Sequence, residues 1–237
     1  MIVHVPVMAQ EIVEIFSEAP GGYLIDATFG LGGHSREIAS KLGGKFKIIG
    51  IDRDQEILNR WQKDLVTGIE LRKMNFSNVA SYIISENIQP VSGVLFDLGL
   101  NSAQLDDDER GFSFQRPGPL DMRFDRSSGQ SAFQAISGMN EKELIFILKE
   151  YGQERNSRAI ARAILRDKPN RTEQLAQIVL DIVGHQRFIK SAARVYQAIR
   201  IYLNNELNEI QAALKSIIPL IATGGRIVVI SYHSLED

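Results

Sequence analysis

The stretch YLIDATFGLGGHS, residues 23–35, decides the fold. A short β-branched and aromatic run ends in Asp26, and Gly30, Gly32 and Gly33 crowd into the few residues before a helical pattern that starts near Ser35. Glycines between a strand and a helix let the backbone turn sharply and let a ligand approach the helix N-terminus. Nineteen residues beyond Gly33 a second apolar run, KIIGID (47–52), ends in Asp52, an acid placed to accept hydrogen bonds from a ribose.

Working outward, residues 69–75, 91–98 and 226–232 are further apolar runs that read as buried parallel strands. Helical patterns at 7–18, 35–42, 54–66 and 77–86 alternate with the first four strands, and Ser35 and Asp54 stand where N-caps are expected. Such alternation predicts a doubly wound α/β sheet. After Asp97 the rhythm breaks. A Gly/Pro-containing loop at 106–130 precedes helical runs at 141–150, 153–167, 172–183 and 191–203; a helix at 205–221, with Gly224 and Gly225 as its stop, then leads into the last strand. The expectation is a sheet core of residues 1–104 and 204–237 interrupted by a mostly helical insertion at 105–203. The last motif sits at a strand tip, so a core shortened at its C-terminus is also an expectation.

Composition narrows the class. With 237 residues, 44% hydrophobic and 24% charged, the chain can bury a large core. It has no cysteine, which removes disulfides and thiolate chemistry and fits a reducing cytoplasm. The start lacks the basic-then-apolar plan of a signal peptide, and no run approaches the ~18 apolar residues of a membrane span. The formal net charge is −2, yet residues 149–200 hold eleven Lys or Arg against five acids, net +6, leaving −8 elsewhere. That asymmetry points to a local basic surface and a polyanionic partner.

The glycine turn departs from a dinucleotide fingerprint, because Ser35 stands where its third glycine or alanine belongs. Asp26 would repel a pyrophosphate and attract an ammonium or sulfonium. S-adenosylmethionine, cationic and phosphate-free, fits better than NAD, and an ordinary glycine-rich turn stands as the bland alternative. Phe76, after the third strand, suits either core packing or an adenine platform. Asp97 tips an otherwise apolar strand, which packing does not explain. His233 either borders the site or is a buried structural histidine. The acidic run Asp106–Glu109 reads as a solvated loop, with no metal site expected. Arg155, Arg158, Arg162 and Arg166 recur at helical spacing and suit phosphates or splayed bases, against a solvated face paired with Glu154 and Asp167.

These motifs recur together elsewhere. HVPVM, DATFGLGGHS, GIDRD, NFSN, FDLGLNSAQLD, ERGFSF, GPLDMR, YGQER, YQAIRIYLNNEL and VVISYHSLED, in that order, closely resemble the bacterial 16S ribosomal RNA cytosine-N4 methyltransferase family from His4 to Asp237. The resemblance implies a class I (Rossmann-like) methyltransferase core with an inserted helical domain, acting with S-adenosylmethionine on a cytosine of the decoding centre. It places cofactor contacts on Gly32, Gly33, His34, Asp52, Phe76, Asp97 and Gln104. The expected partner is 16S ribosomal RNA or the small subunit, with a dimer left open. The chain departs from the family pattern at Leu31, where another glycine is usual, and at residues 188–193, FIKSAA. The amino-methylating D/N-P-P-Y/F motif is absent. In its place the reading puts Asp97 near the cofactor's methionine end and has Asn101 or Ser102 accept the cytosine N4 hydrogens.

Overall fold

A computed structural model describes residues 6–61 and 68–236. Calls that fall on residues 1–5, 62–67 and 237, among them His4 and the end of the 54–66 helix, lie outside the described residues. Five strands, β1 (Gly22–Asp26), β2 (Phe46–Asp52), β3 (Ile69–Lys73), β4 (Val91–Asp97) and β5 (Ile221–Ile230), form one parallel sheet in the order β3-β2-β1-β4-β5. Reversal of strand order beside β1 opens a crevice at the carboxyl ends of β1, β2 and β4, and all three end in aspartate: Asp26, Asp52 and Asp97.

Period-2 alternation along the strands builds a layer on each face. Leu24, Ile48 and Leu95 point to one side, under α1 (Ala9–Glu18), α2 (Gly33–Leu42) and α3 (Gln55–Trp61), where they meet Ile12, Phe16, Ile38, Leu58 and Trp61. Ile25, Ile49, Ile51, Val94 and Phe96 point to the other, under α4 (Val79–Ser85) and the later part of Glu206–Ile217, where they meet Val79, Ile83, Ile210, Ala213 and Ile217. The doubly wound class I sheet read from the sequence is therefore the observed one.

Two local expectations are corrected. Ser35 is not an N-cap: α2 starts at Gly33, its N-cap is Gly32 with φ 68°, and Ser35 lies inside the first turn, buried. Asp54 does cap α3, accepting from the amides of Glu56 and Ile57 at 3.0 and 3.4 Å. Gly224 and Gly225 do not stop a helix. The last helix ends at Ile217, a 3-10 turn follows, and the glycines sit in a bulge of β5 between Ile221, paired with Val91, and Arg226, paired with Gly93. Gly224 takes φ 80°, and a Cβ on Gly225 would lie 2.6 Å from Ile221 Cγ2, so side-chain-free residues are required there.

The chain divides into two compact units, Met1–Gly99 with Asn208–Asp237, and Leu100–Leu207. The second is helical: α5 (Ser102–Asp106), α6 (Ala132–Ser137), α7 (Glu141–Glu150), α8 (Ser157–Asp167), α9 (Thr172–Val183) and α10 (His185–Leu203), with the start of α11 (Glu206–Ile217). Leu144, Ile147, Leu148, Ile160, Ile164, Leu175, Val179, Val195 and Ile199 fill its core. The expected helices at 153–167 and 191–203 instead begin at Ser157 and His185. The 106–130 loop is irregular yet tightly held. Arg110, 2% exposed, donates to the carbonyls of Arg123 and Phe124, and Asn204 takes the Phe124 amide on Oδ1 while its Nδ2 reaches the Met122 carbonyl at 2.8 Å. Asp121 receives Arg123 through both oxygens. The ERGFSF and GPLDMR motifs thus sit in a stapled loop of this unit. Its acidic run is spent locally: Asp106 and Asp108 face Arg116, and Asp107 caps a short 3-10 turn.

Candidate cofactor and active site

The three strand-tip carboxylates differ in their surroundings. Asp26 is 2% exposed; its Oδ2 accepts from the Ser35 hydroxyl at 2.6 Å, whereas Oδ1 is buried with no hydrogen-bond partner among the described residues. Burial pushes this carboxyl up to about 6, against the Ser35 hydrogen bond and the nearby His34, both of which favour its charged form. An unsatisfied buried carboxylate oxygen is costly, and a cation or donor arriving in the crevice would relieve it.

Asp52, half-buried, organises the turn facing it. Its Oδ2 accepts from the Gly30 amide at 2.9 Å and its Oδ1 from the Asp54 amide at 2.9 Å. Removal from water nevertheless raises it to about 6, outweighing those two donors. Each oxygen keeps a lone pair for a further donor such as a ribose hydroxyl.

Asp97 has neighbours on three sides. Its amide donates to Thr28 Oγ1 at 2.6 Å, the Tyr232 hydroxyl donates to its Oδ1 at 3.0 Å, and His34 Nδ1 lies 3.7 Å from its Oδ2. The other ring nitrogen of His34 is 2.8 Å from the Val7 carbonyl. A carbonyl only accepts, so Nε2 carries the hydrogen and Nδ1 is the atom turned to Asp97. Burial first, and then the Asp97 carboxylate, push the Tyr232 hydroxyl up to about 12.

The glycine turn that faces these acids is packed from behind. Gly30 and Gly32 adopt φ 51° and 68°, and a Cβ on Gly32 would lie 2.5 Å from Trp61 Cζ2. Phe76, half-buried beyond β3, meets Phe96 edge-on at 5.9 Å between ring centres, so part of its surface is core and part is left at the sheet edge.

The first unit therefore brings together Gly32, Gly33, His34, Asp52 and Asp97 with Asp26. Asn101, Ser102 and Gln104 belong to the second unit, where Asn101 and Gln104 form a capping box on α5: Asn101 Oδ1 accepts the Gln104 amide at 2.9 Å and Gln104 Oε1 the Asn101 amide at 3.3 Å. The arginines divide. Arg158, Arg162 and Arg166 line one exposed face of α8, but Arg155 precedes the helix. Arg162 pairs with Glu141 at 2.7 Å and Arg166 with Asp167 at 2.6 Å, while Arg155 and Arg158 make no ion pair among the described residues. Glu154 is not a partner of the stripe; it is buried and bonds Asn156. His233 sits against Glu236, Nε2 to Oε1 3.1 Å. Sequence reasoning passed over Thr28, Trp61 and Tyr232. Only Trp61, as the single tryptophan of the chain, gave any signal.

A parallel sheet of this order, with a glycine turn and acids closing its first, second and fourth strands, defines a class I methyltransferase of the type that uses S-adenosylmethionine. The residues fit that group: the buried Asp26 oxygen that has no hydrogen-bond partner among the described residues suits a cation, and the remaining lone pairs of Asp52 suit a ribose. Comparison with known proteins gives the family. The model of the MraW methylase family matches residues 1–237, and the chain belongs to that family. It is 43% identical over 240 residues to the ribosomal RNA small subunit methyltransferase H of Methylobacillus flagellatus, covering 99% of this chain and 75% of that protein. Among solved structures, a candidate rRNA-methylase of Clostridium thermocellum aligns with 43% of this chain and 56% of its own at 24% identity and a TM-score of 0.33. A candidate methyltransferase from an antibiotic biosynthesis pathway of Anabaena variabilis aligns with 85% of this chain and 88% of its own at 14% identity and a TM-score of 0.31. Among the described residues no helix is long and apolar enough to cross a membrane.

Proposed function

We propose that the protein transfers a methyl group from S-adenosylmethionine to N4 of a cytosine in 16S ribosomal RNA, near the decoding centre, in the cytoplasm. The observation that carries this reading is the family match along residues 1–237 joined to a relative, 43% identical, that is named for methylating small-subunit ribosomal RNA. Two features of the chain support it: the acids Asp26, Asp52 and Asp97 around the glycine turn, and the exposed arginines of the helical unit.

When bound, the cofactor supplies an electrophilic methyl on a sulfonium. The chain's residues divide the remaining work. Gly32, Gly33 and His34 form the seat, Asp52 takes the ribose, Phe76 borders the adenine, and Gln104 completes the contacts. Cytosine N4 is a poor nucleophile because its lone pair is delocalised into the ring, so it must be localised and aimed at near-attack distance, ~3–3.5 Å. In this reading Asp97 lies toward the methionine end, and Asn101 or Ser102, four and five residues further along, accepts the N4 hydrogens. Asn101 keeps one oxygen lone pair for this while the other caps α5. The helical insertion, residues 105–203, recognises RNA, with Arg155 and Arg158 free to take phosphates and Arg162 and Arg166 reached by exchange of their acidic partners.

The test is mass mapping of nucleosides after small subunits and free 16S RNA are incubated with labelled cofactor. N4-methylcytidine is the expected product, and label on any other base refutes the assignment. Single-turnover methylation by Asn101→Ala should fall well below the parent rate; an unchanged rate would remove Asn101 from the scheme.

A further inference from the structure

We propose that Trp61 is the positioning residue of the cofactor turn, and that its indole reports directly on the occupancy of that turn. The inference rests on the reading of Gly30–Gly33 as the seat of S-adenosylmethionine.

Trp61 ends α3, the helix that follows the Asp52 strand, and is 3% exposed. Three contacts within the same unit converge on the turn from it. The indole N–H donates to the Leu31 carbonyl at 2.6 Å. The ring lies edge-on to Phe29, 4.9 Å between centres, and its six-membered portion fills the space a Cβ of Gly32 would need. Arg36, on the first turn of α2, places its guanidinium over the indole, 4.5 Å from the ring centre.

The consequence follows from peptide planarity. The Leu31 carbonyl and the Gly32 N–H belong to one rigid unit, so fixing one edge fixes the other. Here both edges are held, the carbonyl by Trp61 and the N–H by the Phe29 carbonyl at 2.7 Å. Gly32 is also the N-cap of α2, so this peptide fixes where that helix begins, and the first amides of a helix lack intrahelical partners. Phe at 61 would keep ring packing and lose the donor. Any β-carbon at 32 would displace the indole. Trp61 touches no reacting atom in this scheme; it acts through the turn.

The chain has one tryptophan, so its emission reads this contact alone. The experiment titrates the whole protein with S-adenosylmethionine by calorimetry and by tryptophan fluorescence, then repeats both with Trp61→Phe and adds steady-state kinetics. We expect emission to change and to saturate with the calorimetric Kd. We expect Trp61→Phe to raise cofactor Kd and KM by about fivefold to tenfold, in keeping with one lost hydrogen bond, with kcat within about twofold. Emission unmoved by a cofactor that calorimetry shows bound, or Trp61→Phe binding as tightly as the parent, would overturn the proposal while leaving the cofactor site intact. A parent protein that gives no binding heat would overturn the cofactor reading, and this inference with it. Should Trp61→Phe fail to fold, the fluorescence of the parent decides alone.

Discussion

The strand-tip aspartates of the first unit and the acidic run at 106–109 of the second are built from the same side chains and treated in opposite ways. Asp106, Asp107 and Asp108 lie on the unit's surface, and Arg116 and a helical cap satisfy them. Asp26 and Asp52 are withdrawn from water, are held near 6, and in the case of Asp26 keep an oxygen with no hydrogen-bond partner among the described residues. The denser acidic run is a structural brace, and the scattered acids are the ones the proposed site uses. Charge density along a chain is thus a poor guide to chemistry. Desolvation without full compensation is a better one, because that is where an arriving ligand gains most.

The contrast can be broken at several points. The largest effect should come from Asp52→Asn, which removes a charged acceptor: cofactor Kd in calorimetry should rise about tenfold to a hundredfold, whereas Asp107→Asn should leave it alone. Next comes pH. Asp26 and Asp52 titrate near 6 in the folded protein instead of near 3.8, so between those values the folded chain holds protons that the unfolded chain has released. Stability from these two groups therefore falls as pH rises from about 4 to 6, and affinity for a cationic cofactor rises through the same upper limit, roughly tenfold between pH 5 and 7. Proton release on binding at pH 6, measured in buffers of different ionisation heat, checks the sign. In the second unit, Arg155→Glu with Arg158→Glu should weaken RNA binding severalfold and lower its salt slope by about two. Arg162→Gln with Arg166→Gln should do less, since those side chains start out paired. The smallest effect belongs to Asp108→Ala: less than about 1 kcal/mol in denaturant unfolding, with methyl transfer unchanged.

The first unit was legible because its signals are local. Apolar runs ending in aspartate, glycines before a helix and a following acid each occupy a few consecutive residues, and their alternation with helices gives the doubly wound class, while the strand order comes from the structure. What escaped was set by contacts distant in sequence. Ser35 looks like a cap, but Gly32 can take the left-handed conformation and start α2 two residues sooner, which frees Ser35 to turn inward to Asp26. Gly224 and Gly225 read as a helix stop because a bulge in a parallel strand leaves no periodic trace. Tyr232 reaches Asp97 across 135 residues, and no spacing rule finds such a pair. In the second unit the arginine spacing was visible, and so was Asp167 beside Arg166, whereas Glu141 was not, because it meets Arg162 from another helix.

Asn204 joins the end of α10 to the irregular segment around Met122 and Phe124 through both ends of its amide. A segment without regular secondary structure is ordinarily the first to open and the first to be cut. Here the backbone amide of Phe124 should exchange its hydrogen as slowly as those in the middle of α10, and proteases that nick surface loops should spare the chain between Gly111 and Phe124.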